Sequence, residues 1–190
     1  MMTEQELLVD CLRRLNACET DYMLTGSMAS NFWGIPRTTH DLDFVVALET
    51  DMISSFVKAF ETDFFIQEPS VRAALKPPYQ FNALDNRSAL KVVFWVLRKE
   101  PFERQMFSRR RREELFGETA WISTAEDILL HKLYWHKLSP SDRQRGDATG
   151  IVAVQSNQLD QEYLSHWSVE LGVEETLAKI LSGEIRPKHT

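Results

Sequence analysis

Asp41 and Asp43 stand two apart in the run Asp41-Leu42-Asp43-Phe44-Val45-Val46-Ala47-Leu48. In an extended segment this spacing puts both carboxylates on one face and Leu42, Phe44, Val46 and Leu48 on the other. With a rise of about 3.3 Å per residue, the two acids lie about 6.6 Å apart along the chain and can converge on one divalent cation. Hard oxygen ligands of this kind suit Mg2+ or Mn2+. Asp-x-Asp alone is equally a mark of an exposed strand face beside a turn, so the preceding residues carry weight. Tyr22-Met23-Leu24 reads as a short buried strand, followed by Thr25-Gly26-Ser27 and a helix from Met28 to Trp33 that Gly34 and Pro36 stop. Gly26 would let the backbone approach a phosphate closely. Ser27 reads as the helix N-cap, where neighbouring amides and the helix dipole favour an anionic oxygen.

Basic side chains supply further candidates. Arg37 lies in the loop that delivers the chain to Asp41, where a guanidinium could meet phosphate bidentately. Arg109-Arg110-Arg111-Arg112 falls in a segment that reads as a helix from about Pro101 to Phe116, with Phe102, Met106 and Leu115 inward. Four consecutive helical positions cannot all face one ligand. They read either as solvated arginines paired with Glu113 and Glu114 or as contacts to triphosphate or RNA. His40 and His131 lack partners at metal-ligand spacing, which argues against zinc. Cys11 and Cys18 are too few and too local for a disulfide framework and read as packed thiols.

The elements that must position these groups follow from periodicity. Thr3 with Glu6 forms a capping-box pattern before a helix to about Cys18 whose stripe is Leu8, Cys11, Leu12 and Leu15. A helix near Met52–Phe60, an extended Phe64-Phe65-Ile66, a short helix near Ser70–Leu75, and a hairpin from Tyr79–Leu84 through Asp85-Asn86-Arg87 to Leu90–Leu97 come next. From Ser123, with Glu126 as a second capping-box signal, the chain turns helical. Helices run to about Leu138, from Arg143 to Val154, from Asp160 to Leu171 closed by Gly172, and from Glu174 to Leu181 closed by Gly183. The expected fold class is α/β (α+β): a mixed sheet with flanking helices in a core spanning 1–120, and a C-terminal helical portion spanning 121–190 packed on it.

With 190 residues the chain can bury a real core. Its net charge of −6 argues against indiscriminate nucleic-acid binding, though not against a local basic site. No apolar run is long enough to span a membrane and the first residues carry no secretory pattern, so a cytoplasmic protein is expected.

The segments Tyr22–Ser30 and Gly34-Ile35-Pro36-Arg37-Thr38-Thr39-His40-Asp41-Leu42-Asp43-Phe44 resemble the nucleotidyltransferase superfamily, and more narrowly its small stand-alone AbiEii-like, toxin-related members. Phe81-Asn82, Lys91-Val92, Ser123–Leu129, Lys132-Leu133, Ser141-Asp142-Arg143-Gln144 with Asp147 and Gly150, and the Leu159–Val173 region are similar too, so the resemblance spans nearly the whole chain. It implies a polymerase-beta-like fold and transfer of a nucleoside monophosphate from a nucleoside triphosphate to a hydroxyl of an RNA end, a protein or a small molecule. Asp41 and Asp43 would be catalytic and metal-binding, with Gly26, Ser27, Arg37, Lys132 and Arg143 holding the nucleotide and an antitoxin as a further partner. On their own terms, Arg143 and Asp147 read equally as an intrahelical ion pair and Lys132 as solvated.

One departure stands out. The family carries a third carboxylate in a segment that here reads Lys91-Val92-Val93-Phe94, and Val93 holds its position. Valine neither ligates metal nor takes a proton. The neighbours of its face, Lys91 and Trp95, are no replacement, and Asp85 is the nearest acid in sequence, at the strand's end. The alternative reading is therefore a weakened member that keeps the fold and acts as a nucleotide-binding or regulatory partner.

Overall fold

The computed structural model describes residues 2–88 and 90–187. They fall into two compact units: the chain up to Gly26 with Thr39–Ile122, and Ser27–Thr38 with the chain from Ser123 onward. Each is described by itself.

The first unit opens with helix α1 (Glu4–Ala17), and the expected capping box is present: the Thr3 hydroxyl accepts from the Glu6 amide while the Glu6 carboxylate accepts from the Thr3 amide. Its strands are β1 (Tyr22–Leu24), β2 (Leu42–Val46), β3 (Phe64–Phe65), β4 (Gln80–Asp85), β5 (Lys91–Val96), β6 (Arg111–Leu115) and β7 (Glu118–Ile122). They form one mixed sheet in the order β3-β4-β5-β2-β1-β7-β6. β2 runs antiparallel to β1 and parallel to β5, and β1 is parallel to β7.

The apolar side of β2 behaves as its alternation demands, with Leu42, Phe44, Val46 and Leu48 all buried. Phe44 and its register neighbour Phe94 stack at 5.8 Å, and Phe94 also meets Phe56, Phe60 and Phe81 at 5.2–5.4 Å. Phe56 and Phe60 come from helix α3 (Ile53–Phe60), so an aromatic core fixes this face of the sheet to that helix. Helix α4 (Glu68–Ala73) and helix α5 (Pro101–Ser108) complete the described helices of this unit.

The arginine cluster departs from its expected helix. Helix α5 ends at Ser108, and Arg111 and Arg112 lie on edge strand β6, which pairs with β7 through a turn at Phe116-Gly117. Both turn residues have positive φ, 51° and 82°, the backbone of a two-residue hairpin whose twist suits the flanking strands. A charged, solvent-facing edge strand lacks the alternating apolar pattern that identifies a strand, which is why Arg-Arg-Glu-Glu reads as helix. Arg110 donates to Asp21 at 2.7 Å and stacks on Phe107 and Trp121, while Arg111 pairs with Glu113 at 3.7 Å. Cys11 is fully buried, and burial pushes its thiol well above the usual range, as a packed thiol requires.

The second unit holds helix α2 (Gly26–Trp33), counted here from Ser27, with helices α6 (Ala125–Leu138), α7 (Asp142–Gln155), α8 (Gln161–Leu171) and α9 (Glu174–Leu181). The cap of α6 is Thr124 rather than Ser123: its hydroxyl accepts from the Asp127 amide and donates to the Asp127 carboxylate. Gly172 closes α8 with a left-handed φ of 62°. Gly34 and Gly150 let loop and helix backbones meet, since a Cβ at Gly34 would lie 2.8 Å from the Ile151 amide nitrogen. The Trp33 indole donates to the Ser123 carbonyl at 2.7 Å, tying α2 to the start of α6.

Candidate active site

In the first unit the decisive contact is between Gly26 and Asp43. The Thr25 amide donates to the Asp43 carbonyl at 3.0 Å, laying the end of β1 along β2. Gly26 then turns with φ +63°, and a Cβ there would lie 2.3 Å from Asp43 Oδ2. Only glycine can occupy this position, for two independent reasons: the left-handed φ and the carboxylate directly against its backbone. The other oxygen, Oδ1, accepts from the Trp95 indole at 3.3 Å. Asp43 is half-buried on the sheet face opposite the phenylalanine core, whereas Asp41 lies one residue before β2 and is exposed.

Val93 is the register neighbour of Asp43 on parallel strand β5, and Asn82 is the neighbour of Val93 on β4. The row running from Asp43 across the sheet is thus Asp43, Val93, Asn82, with Val93 5% exposed. Asp85 does not compensate. It is the last residue of β4, fully buried and engaged by Arg87 and Ser88. Burial drives its carboxyl upward, but the Ser88 and Arg87 hydrogen bonds outweigh this and hold it below the usual carboxylate range.

No group of three or more His, Cys, Asp or Glu gathers as a metal site among the described residues. A pair of carboxylates nevertheless fits Mg2+, which keeps several waters and is commonly held by one or two carboxylates plus substrate phosphates. At Gly26 the space a side chain would take is filled by the Asp43 carboxylate, so the turn brings the chain's backbone directly against one of the candidate metal ligands.

In the second unit, Arg37, Lys132 and Asp147 form a single ion cluster. Arg37 grips Asp147 bidentately, Nε to Oδ1 at 2.6 Å and Nη2 to Oδ2 at 2.8 Å, and Lys132 Nζ reaches Oδ2 at 2.8 Å. Lys132 and Asp147 are both buried, so Lys132 is not solvated and Asp147 is not the partner of Arg143. Burial raises the Asp147 carboxyl, yet the Arg37 hydrogen bond and Lys132 together leave it below its ordinary value. Arg37 Nη2 also donates to the Ser27 hydroxyl at 2.8 Å, and Asn31 clamps the Arg37 backbone at both its amide and its carbonyl. Ser27 lies inside the first turn of α2, not at its cap, and its hydroxyl is oriented by Arg37. Arg143 is exposed and forms no ion pair among the described residues; with Arg145 and Arg186 it lines a cavity of about 460 Å³ beside Arg37.

No protein-family model and no curated protein sequence matches the chain. Solved structures do. ANT(2'')-Ia in complex with adenylyl-2''-tobramycin aligns with a TM-score of 0.60 at 11% identity, over 92% of this chain and 99% of that one. The solution structure of the same antibiotic-resistance factor gives 0.56 at 11% identity, over 94% and 96%. An antigenic nucleotidyltransferase-like protein from Paracoccidioides brasiliensis gives 0.56 at 16% identity, over 96% and 94%. The chain has a nucleotidyltransferase fold. Sequence resemblance anticipated that fold and named Asp41, Asp43, Gly26 and Ser27, but it missed the work of Asp147, which anchors Arg37 and Lys132 together. The available signal was a buried-helix context for Lys132, flanked by Leu129, Leu130 and Leu133, in which a lone ammonium demands a carboxylate partner.

Proposed function

We propose that the protein is a metal-dependent nucleotidyltransferase, and the contact of Gly26 with the Asp43 carboxylate on this fold carries the reading. Asp41 and Asp43 would hold Mg2+ or Mn2+, which when bound neutralises phosphate charge and orients the attacking and leaving oxygens. The Gly26 backbone and the Ser27 hydroxyl would bind triphosphate oxygens. Arg37, already committed to Asp147, positions that hydroxyl instead of serving as a free phosphate ligand. Arg143 retains a guanidinium available to an anion. Lys132 contributes positive charge through its pair with Asp147. An acceptor hydroxyl attacks the α-phosphorus of a nucleoside triphosphate, the bond to the β-phosphate oxygen breaks, and pyrophosphate leaves.

ANT(2'')-Ia, whose fold this chain shares, is seen with an adenylylated small molecule, which supports testing small hydroxylated acceptors first. An RNA end or a protein side chain and an antitoxin partner are further proposals. No described helix is long and apolar enough to cross a membrane. The test is incorporation of label from α-labelled nucleoside triphosphates with Mg2+ into an acceptor panel. Incorporation that Asp43→Ala abolishes supports the reading; incorporation indifferent to Asp43→Ala overturns it.

Val93 favours one second reading, a catalytically weakened protein that binds nucleotide without efficient transfer. Its signature is transfer that appears only after Val93→Asp.

A further inference from the structure

Folded proteins rarely seal a polar side chain away from water without a hydrogen-bond partner, and each exception asks for a cause. Thr25 is such an exception. It is 2% exposed, and its hydroxyl has no hydrogen-bond partner among the described residues. The β1–β2 ladder pairs Leu24 with Phe44, and the 3.0 Å bond from the Thr25 amide to the Asp43 carbonyl carries it one step further. Thr25 and Asp43 therefore stand directly opposite each other on one face of the sheet, with Cβ atoms about 5 Å apart. Resting on the nucleotidyl-transfer reading, we propose that Thr25 belongs to the cation site, its hydroxyl bonding an oxygen that the cation holds, a water of its shell or an oxygen of the triphosphate.

The row leaves this hydroxyl in a position with chemical use. On the other flank of Asp43 stands Val93, so the polar side chain beside the carboxylate in this row is Thr25. The carboxylate is engaged elsewhere: Oδ1 accepts from the Trp95 indole at 3.3 Å, and Oδ2 lies against the Gly26 turn. A buried hydroxyl without a partner costs the desolvation of the group, a cost that valine, of nearly the same shape, avoids. Threonine at this position is accounted for when its bond is made in the loaded protein. A cation on Asp41 and Asp43 brings oxygens of water and phosphate to this row, each able to bond a hydroxyl.

Stability and affinity must then move in opposite directions. Thr25→Val removes an unsatisfied group from the metal-free chain and a hydrogen bond from the loaded one. A hydroxyl with a purely structural part would lose stability on the same substitution and leave cation binding where it was.

The test uses the full chain. Mn2+ binding is followed by electron paramagnetic resonance of the free ion, first alone and then with a non-hydrolysable nucleoside triphosphate, beside urea unfolding without metal. Thr25→Val is expected to raise the urea midpoint of the metal-free chain and to weaken binding by about 10-fold or more, the worth of a hydrogen bond to a charged group. Thr25→Ser keeps the hydroxyl and should hold affinity close to that of wild type. Weakening with Mn2+ alone assigns the bond to a water of the shell; weakening only when triphosphate is present assigns it to a phosphate oxygen. A Thr25→Val chain that binds as wild type in both arms, or whose metal-free midpoint falls, overturns the assignment while nucleotidyl transfer stands, and so does a Thr25→Ser chain that loses affinity as valine does. A wild-type protein that binds neither Mn2+ nor triphosphate removes the parent reading and this inference with it.

Discussion

Two glycines with the same backbone sign separate chemistry from stability at single-residue resolution. Gly117 has φ +82° with nothing within 4 Å of its would-be Cβ, whereas Gly26 has φ +63° with Asp43 Oδ2 at 2.3 Å. Alanine at Gly117 is therefore expected to cost about 1 kcal/mol, the strain of a left-handed residue and nothing more, with transfer activity retained. Alanine at Gly26 adds displacement of the Asp43 carboxylate, so it should abolish Mg2+-dependent triphosphate binding as well as destabilise. Urea unfolding beside titration of each variant with nucleotide distinguishes the two. Trp95 acts at the same scale: its indole holds Asp43 Oδ1, and Trp95→Phe should weaken metal binding several-fold through loss of that hydrogen bond while leaving the fold intact. Val93→Asp places a carboxylate in the register position beside Asp43 and should raise the transfer rate if proton removal is limiting.

Among the elements, the Arg37 loop is joined to α6 and α7 by an ion cluster in which Lys132 and Asp147 are both buried. Removing one partner of a buried ion pair strands the others, so Asp147→Ala is expected to destabilise by about 3–5 kcal/mol, read as a fall in the denaturant midpoint. Its pH dependence has a definite sign. The Asp147 carboxyl lies below its ordinary value in the folded chain, so its contribution is complete above the unfolded value of about 3.9 and is lost as pH falls through the lower folded value. Unfolding midpoints measured below about pH 4 should drop in wild type and drop less in Asp147→Asn. This scale also shows what the sequence could convey. The β2 alternation, the Thr3–Glu6 capping box and the Gly172 stop are local signals, set by residues within a turn or a strand of one another, and they are present as read. The β6–β7 hairpin was hidden because a charged edge strand has no apolar period, and the Phe116-Gly117 turn that betrays it lacks the usual Asn-Gly pair. The Arg37–Asp147 contact spans 110 residues, and only tertiary packing decides which acid a given arginine meets.

For the whole molecule, seven strands among the described residues form one mixed sheet with Asp43 on β2 and Asp41 one residue before it, and the fold is similar to those of ANT(2'')-Ia and of a nucleotidyltransferase-like protein. A net charge of −6 keeps general nucleic-acid affinity low, so an RNA acceptor would have to be drawn by local groups. The central claim is that Asp41 and Asp43 share a cation with a triphosphate lying against the Gly26 backbone. The most direct measurement is a crystal structure of the protein soaked with Mn2+ and a non-hydrolysable nucleoside triphosphate, the cation located by its anomalous signal. The expected result is manganese within about 2.2 Å of both carboxylates and of a phosphate oxygen. Manganese absent from Asp41 and Asp43 in crystals that contain bound triphosphate would contradict the account.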